Sequence, residues 1–196
     1  RSSISRHTSY VSGKSTPVSI VNTRADGSMR MSRSIRTDSS FWKEQAITSR
    51  TRAICVVHYA GVACEMDAIS QIADAHGIAV VEDNAHGLFG RYRGKPLGTF
   101  GVLATQSFHE TKNCTCGEGG ALVVNDPALA SRGEVLREKG TNRKAFFRGE
   151  VDKYTWVDIG SSFLPSDIVS AFLWAQLEEA GAITLRRRQM WAKYHD

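Results

Sequence analysis

The hydrophobic pattern of this chain begins abruptly. From about Glu44 onward, apolar residues fall into short blocks with a clear period, whereas residues 1–42 sustain neither a helical nor a strand period beyond a few positions. "RAICVVHYAG" at 52–61 is an apolar, β-type run ending in a glycine turn. In "EMDAISQIADAHG" the spacing puts Met66, Ile69, Ile72 and Ala73 on one helical face, and Gly77 predicts the stop. Ile78 to Val81 then form a near-continuous apolar run, as in a strand buried on both faces. Strand, helix and strand within about thirty residues predict a βαβ unit with a parallel strand pair.

Further along, "VLATQSF" and "GALVVN" read as strands, and Pro127 in a first turn opens a helix that runs to about Lys139. "SDIVSAFLWAQLEEAG" predicts a helix capped by Ser166 and ended by Gly181. Its apolar stripe is Ile168, Val169, Phe172, Leu173 and Leu177. "ITLRRRQMWAKYHD" is helical in pattern and unfinished; together with a first residue that is Arg, it predicts a piece of a longer protein.

Charge sharpens the contrast between the two regions. The chain has 196 residues and a net charge of +5, but residues 1–50 hold nine Lys/Arg against three Asp/Glu, and the remainder holds 16 against 17. The basicity belongs to the N-terminal segment, which is rich in Ser and Arg and too poor in apolar residues to offset chain entropy. It is expected to be disordered or weakly structured. A basic arm for nucleic acid is the functional alternative, although aromatic platforms and the glycine spacing of RNA modules are missing. Four cysteines, Cys55, Cys64, Cys114 and Cys116, are too few for a disulfide scaffold and predict free thiols in a reducing compartment. No apolar run approaches the roughly 18–20 residues that span a bilayer. A cytoplasmic protein is expected.

In parallel α/β sheets, ligands collect outside the carboxyl ends of the strands. Two predicted strands deliver polar side chains there: Glu82, Asp83 and His86 after one, Ser107 to Lys112 after the other. Their placement predicts a shared pocket. A carboxylate such as Asp83 at the end of a buried strand needs a cation, a metal or several donors, unless it simply caps the turn that follows. Lys112 is the complementary case: an unperturbed lysine at pH 7 is free amine only to about one part in 10³, so a nucleophilic one needs its site's help. A carbonyl cofactor gives that help by trapping it as a Schiff base; the plainer alternative is a solvated surface lysine. A third arrangement would join His109, Cys114 and Cys116 with His86, His58 or Asp83 around a metal. The Cys-x-Cys spacing is tighter than usual zinc knuckles and no second pair is supplied, so no metal is expected. Gly117, Gly119 and Gly120 precede a strand instead of opening a helix, which excludes the phosphate-loop patterns and suggests a tight connection beside Lys112.

Five ordered blocks carry a resemblance: "TRAICVVHYAGVACEMDAI", "VVEDNAHG", "GTFGVLATQSFHETKN", "GEGGALVVND" and "REKGTNRKAFFRGEVDKYTWVDIGSSFLPSD". From about Glu44 to Asp196 the chain resembles the pyridoxal-phosphate-dependent nucleotide-sugar aminotransferases of the DegT/DnrJ type. The resemblance implies an α/β fold of the aspartate-aminotransferase-like (type I) class. Residues 43–181 would be an incomplete cofactor-binding large domain, and residues 182–196 the start of a helix leading toward a small domain. It implies pyridoxal 5′-phosphate as cofactor, with Lys112 forming the Schiff base and shuttling the proton and Ser107 on the phosphate. Asp83 would pair with the protonated pyridine nitrogen, and His86 would lie beside the ring and its 3′ oxygen. It further implies glutamate as amino donor, a dTDP-4-keto-6-deoxyhexose aminated at C4, ping-pong exchange, and a homodimer that shares residues across its interface. In "FFRGEVDKYTWVDIGSS", Arg148, Lys153, Tyr154 and Trp156 are candidates for substrate or partner-subunit contact, the alternative being an irregular surface connection. The family's N-terminal phosphate-binding loop and ring-stacking aromatic are not recognisable, and residues 1–42 stand in their place. Translation in a shifted reading frame upstream of Glu44 and a divergent arm both fit that loss of pattern. A non-catalytic use of the fold would be expected to lose the lysine, and Lys112 is present.

Overall fold

The computed structural model describes residues 18–23, 26, 28–31 and 46–195. The chain divides into two units, 1–107 and 108–196.

In the first unit, β1 (Val18–Thr23), β2 (Met29–Met31) and β3 (Thr51–Val57) precede helix α1 (Met66–His76). Strand β4 (Ala79–Asp83) follows, then a short antiparallel ribbon of β5 (Arg91–Tyr92) and β6 (Lys95–Pro96), and then β7 (Leu103–Ser107). The sheet order within this unit is β2-β1-β3-β4-β7. The predicted βαβ unit is therefore β3-α1-β4, with β3 and β4 parallel from Ala53↔Ala79 to Val57↔Asp83. Strand β7 adds in parallel beside β4, with Asp83 opposite Thr105. α1 forms where the sequence pattern puts it. Its Met66, Ile69 and Ala73 pack on Ile54, Val56 and Val80 of the sheet, and Gly77 caps its end. Each large apolar side chain buried there is worth about 1.5–3 kcal/mol. That layer fixes β3 and β4 and so fixes where their carboxyl ends point.

Part of the segment that shows no sustained pattern is nevertheless strand. Val18 and Ile20 of β1 are buried and Val18 joins the core, because β1 pairs antiparallel with β3 from Val18↔Val56 onward. A two-residue alternation is too short to stand out in sequence, and its burial comes from the neighbour it pairs with. The rest of residues 1–42, including most of the Ser/Arg-rich arm, lies outside the described residues.

The second unit holds β8 (Gly120–Val124) and helices α2 (Ala130–Arg137), α3 (Arg143–Phe147), α4 (Asp167–Glu178) and α5 (Ala180–His195). Two predicted helices change their limits. The Pro127 helix begins as a separate 3-10 turn over Pro127–Leu129, capped by Asp126 accepting the Ala128 N–H at 3.0 Å, and only then becomes α2. Ser166 caps α4 as predicted, accepting the Val169 N–H at 3.4 Å. Gly181, however, lies inside α5. The bend falls at Glu179, whose carbonyl already accepts the Ile183 N–H at 3.0 Å, so the backbone re-enters a helix at once. The stripe of α4 is largely uncovered, with Ile168 84% and Phe172 55% exposed.

Candidate active site

Asp83 ends β4, and Ser107 ends β7 two residues beyond Thr105, the residue opposite Asp83. Side chains alternate faces along a strand, so Asp83, Thr105 and Ser107 share one face at the carboxyl edge of the sheet. That is the placement the sequence predicts for these two residues. Asp83 is half-buried, and its Oδ1 accepts the Ala85 N–H at 3.0 Å. The turn-capping role is thus real. It occupies one carboxylate oxygen and leaves Oδ2 without a hydrogen bond among the described residues. On the same face, burial foremost and the Asp83 charge next push the Cys55 thiol up.

Glu82 does not join that site. Alternation turns it to the opposite face, where it is fully buried. Its Oε2 accepts His58 Nε2–H at 2.9 Å and the Gly98 N–H at 2.8 Å, and its Oε1 accepts the N–H groups of Phe100 at 2.6 Å and Gly101 at 2.7 Å. Burial pushes this carboxyl up, but the bond from His58 and the three backbone donors outweigh it and hold the group below the ordinary carboxylate range. His58 is no metal ligand here. Burial pulls its proton affinity down, and the Cys64 side chain and the Glu82 carboxylate pull it up toward the cation. Yet the Cys64 N–H reaches Nδ1 at 3.2 Å and needs a lone pair there, so the neutral ring protonated at Nε2 satisfies both partners. One buried carboxylate thereby ties the end of β3, the end of β4 and the lead into β7. The sequence reading missed this, and strict alternation along β4 was the signal available for it.

His86 follows Asp83 in the same unit and is exposed, with its Nδ1 accepting the Ala60 N–H at 3.2 Å.

Lys112 lies in the second unit, half-buried in a closed loop. Phe108 N–H donates to Gly119 O at 2.8 Å and Cys116 N–H to Phe108 O at 2.9 Å, which seals the loop at its base. Within it, Lys112 N–H donates to His109 O at 2.9 Å, His109 Nδ1 lies 2.9 Å from Thr111 Oγ1, and Arg187 of α5 donates to Lys112 O at 3.5 Å. Gly119, from the glycine run, closes this loop just before β8 begins at Gly120. Among the described residues, no group of three or more His, Cys, Asp or Glu side chains is placed to hold a metal. Burial pushes the Cys114 and Cys116 thiols up, and a protonated thiol is a poor ligand.

The four candidates for substrate or partner contact also lie in the second unit. Arg148 is already engaged: its guanidinium bonds both oxygens of Glu134 at 2.9 Å and those of Glu150 at 2.6 and 3.2 Å. Those bonds, to Glu150 first, raise its proton affinity above the usual arginine range. Lys153 O accepts from Asn142 Nδ2 at 3.1 Å, while Tyr154 and Trp156 expose their rings, Trp156 to 73%. In the first unit, a cleft of about 380 Å³, lined by Thr48, Thr51, Arg52, His76 and Ile78, opens at the amino end of β3 and β4, the opposite end from Asp83.

A pyridoxal cofactor asks for an anion at its ring nitrogen, donors for its phosphate and an amine for its aldehyde. The uncommitted Oδ2 of Asp83, the Ser107 hydroxyl on the same sheet face and the Lys112 amine have that chemistry, so the residues present fit the group.

The comparisons with known proteins agree. PseC of Helicobacter pylori, an aminotransferase involved in pseudoaminic acid biosynthesis, superposes with a TM-score of 0.66 at 32% identity, covering 73% of this chain and 37% of PseC. DesV of S. venezuelae does so with a TM-score of 0.67 at 37% identity, covering 80% of this chain and 40% of DesV. The uncharacterized protein MJ1066 of Methanocaldococcus jannaschii is 38% identical over 156 residues, 78% of this chain and 40% of that protein. The chain thus spans about two fifths of the length of these relatives. Residues 42–196 match the DegT/DnrJ/EryC1/StrS aminotransferase family, whose cofactor is pyridoxal 5′-phosphate. With the α/β fold and the relatives in agreement, the chain belongs to that family.

Proposed function

We propose that this chain is the lysine-bearing part of an aminotransferase that moves an amino group from glutamate to C4 of a dTDP-4-keto-6-deoxyhexose. The product would be dTDP-4-amino-4,6-dideoxygalactose, used in surface polysaccharide synthesis, and the whole enzyme would be a cytoplasmic homodimer. The reading of the reaction class is carried by one observation: a half-buried carboxylate with an uncommitted oxygen and a hydroxyl share the carboxyl edge of a parallel sheet, in a chain that also holds Lys112 in a sealed loop. The choice of sugar rests on the likeness of "SFHETKN" and of the block from Arg137 to Asp167 to the enzyme that makes this product.

When bound, pyridoxal 5′-phosphate supplies the electron sink for the carbon that loses its proton. The residues of the chain do the rest. Asp83 keeps a proton on the ring nitrogen, Ser107 donates to the phosphate, and His86 stands beside the ring. Lys112 takes the proton from the donor's carbon in one half of the reaction and returns a proton to the sugar's C4 in the other. Tyr154 and Trp156 offer exposed rings to the sugar nucleotide or a partner subunit, with Lys153 beside them. Arg148 enters this reading with its charge already shared by two glutamates.

The test is to load the purified chain with pyridoxal 5′-phosphate. A visible absorption band should appear and be absent in Lys112→Ala; its persistence in that variant would sink the assignment. With glutamate added, the band should shift in the wild-type chain. Removing a general acid/base slows such steps by about 10²–10⁴-fold. Asp83→Ala should keep part of the band and lose the shift, and an unchanged glutamate response would remove Asp83 from the pyridinium role.

A further inference from the structure

The turn that follows β3 is moulded around His86 by three consecutive residues. The Tyr59 ring meets the imidazole edge-on, with centroids 5.3 Å apart and planes at 62°. Ala60 directs its N–H at Nδ1, 3.2 Å away. A Cβ on Gly61, whose φ is +78°, would come within 3.1 Å of the His86 carbonyl oxygen, so a side chain there would be crowded and its backbone strained. Ala60 itself has φ +55° and ψ +21°, a left-handed conformation that residues with a Cβ adopt only when their surroundings insist on it. The turn is anchored from below: Gly61 N–H donates to His58 O at 3.1 Å, and His58 is the buried ring bonded to Glu82. An ordinary connection from strand to helix needs none of these features.

We propose that the Tyr59–Gly61 turn makes His86 a one-sided hydrogen-bond donor, with Nδ1 capped by the Ala60 amide and Nε2–H presented to an anionic oxygen on the cofactor ring. The inference rests on the reading of His86 as a cofactor residue. An imidazole nitrogen that accepts a backbone N–H carries no proton, so the ring's single proton sits on Nε2, and rotation of the ring to present the other nitrogen would break the Ala60 bond. Tyr59 limits that rotation by packing against the ring. Tyr59 and Ala60 are therefore positioning residues, acting on the cofactor through His86.

The decisive measurement is made on the cofactor-free, isotope-labelled chain by NMR. A scalar coupling between the Ala60 amide nitrogen and His86 Nδ1 is expected. Exchange of the Ala60 amide proton should be about tenfold faster in His86→Ala, the factor carried by one hydrogen bond of ~1.4 kcal/mol. Equal exchange in both proteins, or a proton found on Nδ1, overturns the proposal. A second arm uses the cofactor-loaded chain. Tyr59→Phe, which keeps the ring, should leave the visible band in place, and Tyr59→Ala should move it with far-ultraviolet circular dichroism unchanged; an unmoved band in Tyr59→Ala removes the turn's role toward the cofactor. A chain that takes up no cofactor fails the functional reading above, and the amide result still decides whether His86 is capped.

Discussion

At the scale of single residues, two adjacent carboxylates on β4 have opposite fates. Asp83 is half-buried and accepts the Ala85 N–H, while Glu82 is fully buried and accepts four hydrogen bonds. Glu82→Ala leaves three backbone donors without their acceptor and is expected to cost about 3–5 kcal/mol, measured by urea unfolding. The pH dependence follows from the lowered proton affinity of this carboxyl in the folded chain. Its contribution is fully present above the ordinary glutamate pKa of about 4.3 and is lost as pH falls through the lower folded value. Unfolding free energies between about pH 6 and pH 3 should fall steeply in the wild-type chain and less steeply in Glu82→Gln. The sequence showed two acids at a strand end. That the two point to opposite faces was written in the two-residue alternation, but what Glu82 bonds to was not, because Gly98, Phe100 and Gly101 come to it from a later segment.

At the scale of elements, β3, α1, β4 and β7 were legible because each has a single strong period and a clear stop. α1 stands on Met66, Ile69 and Ala73, so Ile69→Ala should destabilise the first unit by about 2–5 kcal/mol, read from its thermal or urea unfolding. Elements whose signal is weak moved. β1 carries only Val18 and Ile20 as buried alternating positions and is a strand because β3 offers it an edge. The glycine signal puts the end of α4 at Gly181, yet the bend occurs two residues earlier. A glycine permits a helix stop, and packing decides whether the permission is used.

At the scale of the whole molecule, the second unit exposes large apolar side chains in number, among them Trp156, Ile159, Phe163, Ile168, Phe172 and Trp174. Soluble monomers rarely leave so many side chains of this kind in water. The isolated chain should bind a hydrophobic dye and associate with rising concentration in sedimentation, and Ile168→Glu with Phe172→Glu should reduce both. A monomeric, dye-silent chain would show that this surface is covered within the protein itself. None of the described helices is long and apolar enough to cross a membrane.

The sequence by itself determined the parallel α/β core, the family, and the placement of Asp83 and Ser107 at the carboxyl ends of their strands, because local period and ordered motifs are properties of neighbouring residues. The match to the family begins at residue 42, within a few residues of Glu44, where the hydrophobic pattern begins. Only the tertiary structure decided that Glu82 is a structural tie and not a ligand, that His58 is its partner, that Arg148 is already paired, and that a strained turn grips His86. Each of these depends on which distant groups meet in a low-dielectric interior or at a loop crossing, and residue order leaves those meetings unspecified until the chain has folded.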